Sequence, residues 1–243
     1  MTDSYLIVGG SSDIALILAK RLLKEQHNVT ILARDIARCS EIQALGAEII
    51  QGDALDASAV SAAVSAAQER GDGSIAGVAH LVGSLLIRPP HSVKIEAFNE
   101  VIHTNLSTAF LTLSTACKAM LRSGGGRLVF ISSVAASLGL VNHEAIAAAK
   151  GGIESMVRTA AATYSQRNIR VNAVAPGLTE TRLAENILKS DAIREAAIGM
   201  IPSKRINQPD EIASTIEWLL CNAPDNLTGQ VLHLDGGMSN LRN

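Results

Sequence analysis

The stretch Tyr5-Leu6-Ile7-Val8-Gly9-Gly10-Ser11-Ser12-Asp13-Ile14-Ala15 decides the fold of this chain. Its apolar start, Tyr5–Val8, predicts a buried strand, and the apolar stripe across Ile14–Lys24 predicts the helix that follows. Between them, glycines let the backbone approach a pyrophosphate, and the start of the helix offers free N–H groups. The turn therefore predicts nucleotide phosphate binding, with contacts from Gly9, Ser11, Ser12 and Ile14. The alternative is a plain turn, because Asp13 brings a negative charge close to any phosphate.

The same order of strand and helix continues to the far end of the chain. Further strands are predicted at Val29–Ala33, Glu48–Gln51, Ile75–Val82, Arg127–Ser132, Ile169–Ala175 and Gln230–Leu234. Helical patterns separate them, and the longest are Phe98–Leu121 and Ala145–Tyr164. Continuously apolar strands that alternate with helices predict one α/β domain over residues 1–243, a doubly wound parallel sheet with helices on both faces. Ligands of such a sheet bind beyond the carboxyl ends of the strands, at the topological switch point.

Composition and charge exclude several classes of function. The 243 residues are 47% hydrophobic and carry a net charge of −2, so a large core is expected and no basic field attracts nucleic acid. With 2% aromatic residues, base-stacking surfaces are not expected either. Three widely spaced cysteines show no metal-ligand pattern and indicate a reducing compartment. No signal peptide or membrane-spanning run is recognised, which predicts a cytoplasmic protein without a membrane partner.

The end of the second strand carries information about a nucleotide's ribose. In doubly wound sheets an acidic residue there holds the 2′-hydroxyl of NAD, but this chain has Ala33 followed by Arg34. A guanidinium suits a 2′-phosphate, so NADP(H) is favoured over NAD(H); a solvated surface arginine is the alternative. Asp53, just past the third strand, is placed to accept a hydrogen bond from an adenine amino group, or to cap the following helix.

Several landmarks in order resemble the classical short-chain dehydrogenase/reductase family over essentially the whole chain. They are the glycine turn, Asp53, Gly83, Asn105, Ser133, Lys150, Asn172 through Pro176-Gly177, and Asp235-Gly236-Gly237. The resemblance implies a Rossmann-type sheet of about seven strands and hydride transfer between NADP(H) and a small carbonyl, alcohol or activated alkene. It also implies a homo-oligomer, a dimer or tetramer built through the two long helices.

The resemblance assigns a role to each matching position. Asn105 would hold a structural water, Ser133 would bind the substrate oxygen, and Lys150 would hold the nicotinamide ribose hydroxyls. Gly83 follows the fourth strand beside the cofactor. After Pro176-Gly177, the residues Leu178 and Thr181 would meet the carboxamide, and the segment 178–205 would form a lid over the substrate pocket.

Three departures from the family pattern bear on the reaction. Asp13 and Ala15 stand where the family has further glycines, and His80-Leu81-Val82-Gly83 stands for the family's Asn-Asn-Ala-Gly. Position 146, four residues before Lys150, is Ile146, where the family has its proton-donating tyrosine. The two tyrosines of the chain, Tyr5 and Tyr164, lie too far along the sequence to replace it.

His143 is the candidate proton donor. It lies seven residues before Lys150, the spacing at which the divergent enoyl-reductase branch of the superfamily carries its tyrosine. Imidazole is a competent general acid near neutral pH. The alternative is a solvated histidine at a helix start capped by Asn142; His80 and His91 show no identifiable partners and are taken as incidental. Two functions stay open: an active oxidoreductase in which His143 or water replaces the tyrosine, and a catalytically silent subunit that binds a nucleotide or a partner.

Overall fold

The computed structural model describes residues 2–241, so the first residue and the last two of the predicted domain 1–243 lie outside the described part. Seven parallel strands form one sheet in the order β3-β2-β1-β4-β5-β6-β7. The strands are β1 Ser4–Val8, β2 Asn28–Ala33, β3 Glu48–Gln51, β4 Gly77–His80, β5 Gly126–Ile131, β6 Ile169–Pro176 and β7 Val231–Leu234. The predicted Rossmann-type doubly wound sheet is confirmed, with small shifts at the strand ends.

Helices cover both faces of the sheet. They are α1 Asp13–Lys24, α2 Ser40–Ala44, α3 Ala57–Arg70, α4 Ile95–Ile102, α5 Thr108–Ser123, α6 Glu144–Tyr164, α7 Glu185–Leu188, α8 Asp191–Met200 and α9 Pro209–Cys221. Between β6 and α9 the chain forms a short turn at Arg182–Ala184, followed by α7 and α8.

The core has two layers, one on each face of the sheet. Successive residues of β1 point to opposite faces: Leu6 and Val8 pack with the layer under α3, α5 and α6, whereas Tyr5 and Ile7 pack with α1 and α9. Because both faces are covered, β1 is apolar from Tyr5 to Val8 and is buried at every position.

The long helix predicted at Phe98–Leu121 contains a π-helical turn. Between α4 and α5, residues His103–Ser107 form a π segment that leaves Asn105 buried. Two side chains bond the backbone at this point: Asn105 Nδ2 donates to the Val101 carbonyl at 2.9 Å, and Thr108 Oγ1 donates to the Thr104 carbonyl at 2.6 Å. Such bonds compete with the regular helical ladder. A hydrophobic period does not register the extra residue, so the sequence pattern predicted one regular helix.

The topology places the loops after the strands at one edge of the sheet. The chain order reverses between β1 and β4, which are neighbours in the sheet. Loops after β1, β2 and β3 therefore lie on one side of this switch point, and those after β4, β5 and β6 on the other. A crevice at this point is where doubly wound sheets bind their ligands.

Candidate functional site

One cavity of about 930 Å³ lies at the carboxyl ends of the strands. Every site residue predicted from the sequence contributes to its lining: Gly9, Ser11, Ser12, Ile14, Arg34, Asp53, Gly83, Asn105, Ser133, His143, Lys150, Pro176, Gly177, Leu178 and Thr181. Residues from distant parts of the chain thus share one space, while the role of each stays a prediction.

The glycine turn after β1 has the geometry of a close-approach turn. Gly9 has a φ of +84°, and a Cβ atom there would lie 2.8 Å from the Val82 nitrogen, so a larger residue would be strained and would clash with backbone. Ser12 caps α1 by accepting from the Ala15 N–H at 3.3 Å. Within the described chain, no protein acceptor is found for the backbone N–H of Asp13 or Ile14. These groups at a helix start fit a phosphate.

Asp13 is neutralised by two arginines that nothing in the sequence pattern identified. Arg38 Nη2 donates to Asp13 Oδ1 at 2.9 Å, and the Arg182 backbone N–H donates to Oδ2 at 2.8 Å. Arg38 Nη1 and Arg182 Nη2 also donate to the Ser11 carbonyl. The negative charge that counted against phosphate binding is therefore paired, and the turn is joined to the start of the segment 178–205.

Arg34 and Asp53 lie near one another where β2 and β3 end. Arg34 Nη1 lies 3.6 Å from Asp53 Oδ2, and Asp53 Oδ1 accepts from the Leu55 N–H at 2.9 Å. The alternative in which Asp53 caps the next helix is wrong, because Asp56 is the N-cap of α3 and accepts from the Ser58 N–H at 2.8 Å. The Arg34 guanidinium is mostly exposed, so it is free to meet a ligand.

Lys150 lies buried on α6 under the centre of the cavity. Its Nζ donates to the Ile131 carbonyl at 2.9 Å, and burial lowers the pKa of this lysine to about 7. A Cβ atom at Gly83 would lie 3.2 Å from Asn105 Oδ1 and 3.6 Å from Lys150 Nζ. Gly83 therefore leaves room beside both groups.

Asn105 is held by its own surroundings. Its Nδ2 donates to the Val101 carbonyl at 2.9 Å and to Ser84 Oγ at 3.0 Å, while Oδ1 accepts from the Ser84 N–H at 3.3 Å. These bonds tie Asn105 to the π-helical turn and to the loop after β4, while its part in holding a structural water stays a prediction.

The two serines after β5 face different partners. Ser133 lines the cavity, and its Oγ accepts from the Ala135 N–H at 3.2 Å, which leaves its own O–H free to donate. Ser132 is buried and donates to Glu154 Oε1 on α6 at 2.8 Å. Ser133 is thus the serine whose hydroxyl proton remains available to a substrate.

His143 has a defined ring orientation. Its Nδ1 lies 2.7 Å from the Val141 carbonyl, and because a carbonyl only accepts, Nδ1 carries a proton and Nε2 is left for other partners. His143 itself is the N-cap residue of α6, so the proposed cap by Asn142 is wrong. Asn142 instead has a φ of +64°, which asparagine tolerates better than most residues.

Ile146 lies on the cavity wall and is 2% exposed, in an apolar cluster with Val101, Ala135, Ala145 and Ala149. Neither tyrosine belongs to the cavity lining. Tyr5 packs edge-on against His27 within the core, and burial raises the pKa of its phenol well above its ordinary value. The cavity wall therefore includes no phenol.

The sequence indicated that His80 is incidental, but the structure gives it two hydrogen-bond partners. It is fully buried at the end of β4, where Nδ1 lies 2.9 Å from Thr112 Oγ1 and Nε2 lies 3.1 Å from Thr108 Oγ1. Burial, with a smaller effect from Lys150, lowers the pKa of His80 to about 3, so the ring is neutral. Thr108 gives its proton to the Thr104 carbonyl and accepts from Nε2–H, so His80 is tied to the π-helical turn. His91 is exposed and lies outside the cavity lining.

The segment after β6 closes one side of the cavity. Gly177 N donates to the Leu234 carbonyl at 2.8 Å, and a Cβ atom at Gly177 would lie 3.0 Å from Asp235 Cα. Within 178–205, the lining residues are Leu178, Thr179, Thr181, Arg182, Leu183, Ala184, Ile187, Ala197, Met200 and Ile201.

Comparison with known proteins identifies the family. A family model described as enoyl-(acyl carrier protein) reductase matches residues 9–239. The chain belongs to the short-chain dehydrogenase/reductase family. The 3-oxoacyl-[acyl-carrier-protein] reductase MabA of Mycobacterium bovis is 30% identical over 238 residues, which cover 98% of this chain and 93% of that protein. The expectation of a nicotinamide-dependent oxidoreductase is confirmed at the level of the family.

Solved structures of the family share the architecture. A short-chain type dehydrogenase/reductase from Mycobacterium ulcerans superposes with a TM-score of 0.92 at 29% identity, covering 100% of this chain and 92% of its own. A variant of actinorhodin polyketide ketoreductase, solved with NADPH, has a TM-score of 0.92 at 26% identity and covers 99% and 98% of the two chains.

No group of three or more His, Cys, Asp or Glu side chains in residues 2–241 is arranged to hold a metal ion. None of the helices in this part of the chain combines the length and the apolar character needed to cross a membrane.

Proposed function

We propose that this chain is an NADP(H)-dependent oxidoreductase for a small carbonyl compound, its alcohol, or an activated alkene, and that it works without the family's tyrosine. One observation carries the proposal. A single cavity extends from the glycine turn to Ser133, His143 and Lys150 and so joins a phosphate-type turn to groups that can handle a substrate oxygen. A protein that only scaffolds a partner needs no such continuous space.

The residues present fit a dinucleotide. Gly9 gives close backbone approach, and the N–H groups of Asp13 and Ile14 are available for a pyrophosphate. Asp53, which lines the cavity, would accept a hydrogen bond from an adenine amino group. At the end of β2, Ala33 offers no carboxylate for a ribose 2′-hydroxyl, while the exposed Arg34 guanidinium suits a 2′-phosphate. These features support NADP(H) over NAD(H).

The reacting end is proposed to use Lys150 and Ser133. Lys150 would hold ribose hydroxyls, Ser133 would donate to the substrate oxygen, and Asn105 with Gly83 would keep the space between them open. Pro176, Gly177, Leu178 and Thr181 would meet the carboxamide. When bound, the reduced nicotinamide supplies the hydride, two electrons with one hydrogen nucleus, to the carbon that is reduced.

One proton must also reach the substrate oxygen, or the second carbon of an alkene. The proton is assigned to Nε2–H of His143 in its doubly protonated form, or to a water that this group binds, because the Nδ1–H bond to the Val141 carbonyl fixes the ring. Giving up this proton leaves a neutral ring with its hydrogen on Nδ1. We take position 146 as the family's tyrosine position. Ile146 cannot donate a proton, and its burial among apolar side chains leaves proton delivery to another group.

The same burial of Ile146 favours a second function, a catalytically silent member that binds nucleotide and regulates or supports a partner. The two functions differ in turnover and not in nucleotide binding. NADPH and NADH are therefore titrated first, and turnover on ketones and enones is then measured for the wild type, His143→Ala and Ile146→Tyr. Wild-type activity that is lost in His143→Ala supports the imidazole route. Tight NADPH binding with activity only in Ile146→Tyr contradicts the active enzyme.

Two further features are proposed for the assembly. The segment 178–205 acts as a lid on the substrate side of the cavity. The helices within 98–121 and 145–164 form the contacts of a homo-oligomer, supported by Phe110, which is large, apolar and exposed on α5.

A further inference from the structure

The charged side chains of the cavity lie towards one end of it. They are Asp13, Arg34, Asp53, Arg182 and Lys150. The first three follow β1, β2 and β3, and Arg182 is bonded to Asp13, so these four belong to the nucleotide side of the switch point. Lys150 is already bonded to the Ile131 carbonyl under the centre. The charges of the cavity are therefore accounted for by the proposed nucleotide and its ribose.

The other end of the cavity, here called the substrate half, is lined by residues within 84–87, 133–146 and 183–201. None of the lining residues in these three ranges is Asp, Glu, Lys or Arg, and His143 is their one titratable side chain. A substrate that bears a carboxylate, sulfonate or phosphate finds no Lys or Arg side chain among these residues. Burying such a group without a partner is strongly unfavourable.

Few hydrogen-bonding groups in the substrate half remain free. His143 Nδ1 is engaged by the Val141 carbonyl, while the Ser84 and Ser133 oxygens each accept one bond from the protein and keep a hydroxyl proton to donate. The side-chain groups left for a substrate are therefore these two hydroxyls and His143 Nε2. A polyhydroxylated substrate would lose hydrogen bonds to water that this surface does not replace, at about 1–3 kcal/mol for each unsatisfied group, or roughly five- to 150-fold in affinity.

Large apolar side chains at the opening remain exposed although they line the cavity. Val141 is 81% exposed on the loop before α6, and Leu183 and Met200 are 56% and 65% exposed on the segment 178–205. They come from two separate parts of the chain that meet at one cavity. An apolar ligand between them would remove their surface from water, which is the main source of affinity in such pockets.

We infer that the substrate is a neutral, apolar ketone or its alcohol, with the reacting oxygen as its one strongly polar group. A hydrocarbon frame fills the substrate half, and the oxygen meets Ser133 and His143. The same lining disfavours sugars, which would lose hydrogen bonds to water, and it disfavours hydroxy acids and other anions, which would find no Lys or Arg partner. The inference rests on the proposed function, because it names the substrate of the same cavity.

The test uses equilibrium binding to the full chain loaded with a tetrahydro analogue of NADPH, whose nicotinamide ring is uncharged and cannot give up hydride, so that no ketone is turned over. Cyclohexanone, 4-methylcyclohexanone, 4-ethylcyclohexanone and 4-oxocyclohexane-1-carboxylate are titrated by calorimetry. The Kd should fall about fourfold for each added methylene group, from about 0.8 kcal/mol per buried CH₂. The carboxylate should bind at least about tenfold more weakly than the ethyl compound of similar size.

A positive charge placed in the lining should weaken this preference for the neutral ligand. In Leu183→Arg, the ratio between the Kd of the carboxylate and the Kd of the ethyl compound should fall at least about tenfold. The matched control is Ile193→Arg, at an apolar position that is 52% exposed on α8 but outside the cavity lining. This substitution should leave the ratio of the two Kd values unchanged.

Two results would overturn the inference: carboxylate binding as tight as that of the ethyl compound, or ketone affinity that does not respond to chain length. Failure of the proposed function is recognised separately. If NADPH does not bind, or no ketone is reduced with it, the proposed function fails and the assignment of a substrate fails with it; selective binding of the neutral series would then show only that the cavity prefers apolar ligands.

Discussion

Asp13→Ala should destabilise the protein although the family has glycine at this position. Asp13 accepts from Arg38 Nη2 at 2.9 Å and from the Arg182 N–H at 2.8 Å, and the Asp13 and Arg38 side chains are each 24% exposed. Partial exposure screens the ion pair, so we assign it about 1 kcal/mol, and the backbone bond to a carboxylate contributes about 1 kcal/mol more. The free energy of unfolding should fall by about 2 kcal/mol in total. Asp13→Asn keeps an acceptor and should lose about half of this.

The assay is urea unfolding followed by circular dichroism at fixed protein concentration, together with hydrogen exchange of the segment from Arg182 onwards. Loss of the anchor at the Arg182 N–H should speed exchange there, because that bond joins the segment to the nucleotide turn. The control is Asp225→Ala, which removes an ion pair to Arg127 from a carboxylate that is 79% exposed and should cost at most about 0.5 kcal/mol. An Asp13→Ala effect no larger than that of the control would refute the reasoning.

Three further predictions concern single titrating or charged groups. The pKa of Lys150 is about 7 in the folded chain against 10.5 ordinarily, so the unfolded chain binds more protons between these values. Wild-type stability should rise with pH across that window by up to about 1.4 kcal/mol per pH unit, and urea unfolding of Lys150→Met should lose the rise. The pKa of His80 is about 3 against 6.5, so wild-type stability should fall as pH drops through that range. The stability of His80→Asn should fall less than that of the wild type in acid denaturation. Equal acid midpoints for the two proteins would contradict the buried neutral ring. Arg34→Gln should raise the Kd for NADPH about tenfold and the Kd for NADH less than about twofold, because a charge-assisted bond to phosphate contributes roughly 1.5–3 kcal/mol. Equal losses of affinity for the two nucleotides would refute the 2′-phosphate assignment.

The fold was predictable because its signal is local and repeated. Each strand is a short apolar run, each helix has an apolar stripe, and turn residues separate them, so errors at the ends of β4 or α3 do not change the topology. The positions that line the cavity were predictable for a related reason. In a parallel sheet the residues that follow successive strands meet at one edge, and Gly9, Asp53, Gly83 and Ser133 all follow strands.

The other features of the site depend on contacts that the spacing of residues in the sequence does not encode. Arg38 and Arg182 reach Asp13 across 25 and 169 residues, and no local pattern marks either arginine as its partner. His80 depends on two threonines 28 and 32 residues away, whose hydroxyls face β4 only because α5 packs on that side of the sheet.

The His143 ring was a candidate from its spacing to Lys150, but its tautomer follows from a carbonyl two residues away in a loop. The π-helical turn at Asn105 inserts one residue without disturbing the apolar stripe on either side. Each of these features is set by backbone geometry in the folded state, so the sequence pattern alone did not predict them.

We propose that NADPH bound in this cavity gives its hydride to the substrate and that His143 delivers the proton in place of a phenol. The most direct measurement is a single turnover of bound NADPH with saturating 4-ethylcyclohexanone, followed by absorbance, for wild type, His143→Ala and His91→Ala. His91 is exposed and lies outside the cavity, so its loss should leave the rate unchanged. We expect NADPH oxidation to be about 10²–10⁴-fold slower in His143→Ala than in the wild type, which is the usual contribution of a general acid, and we expect the affinity for NADPH to be retained. Equal rates in wild type and His143→Ala would contradict it.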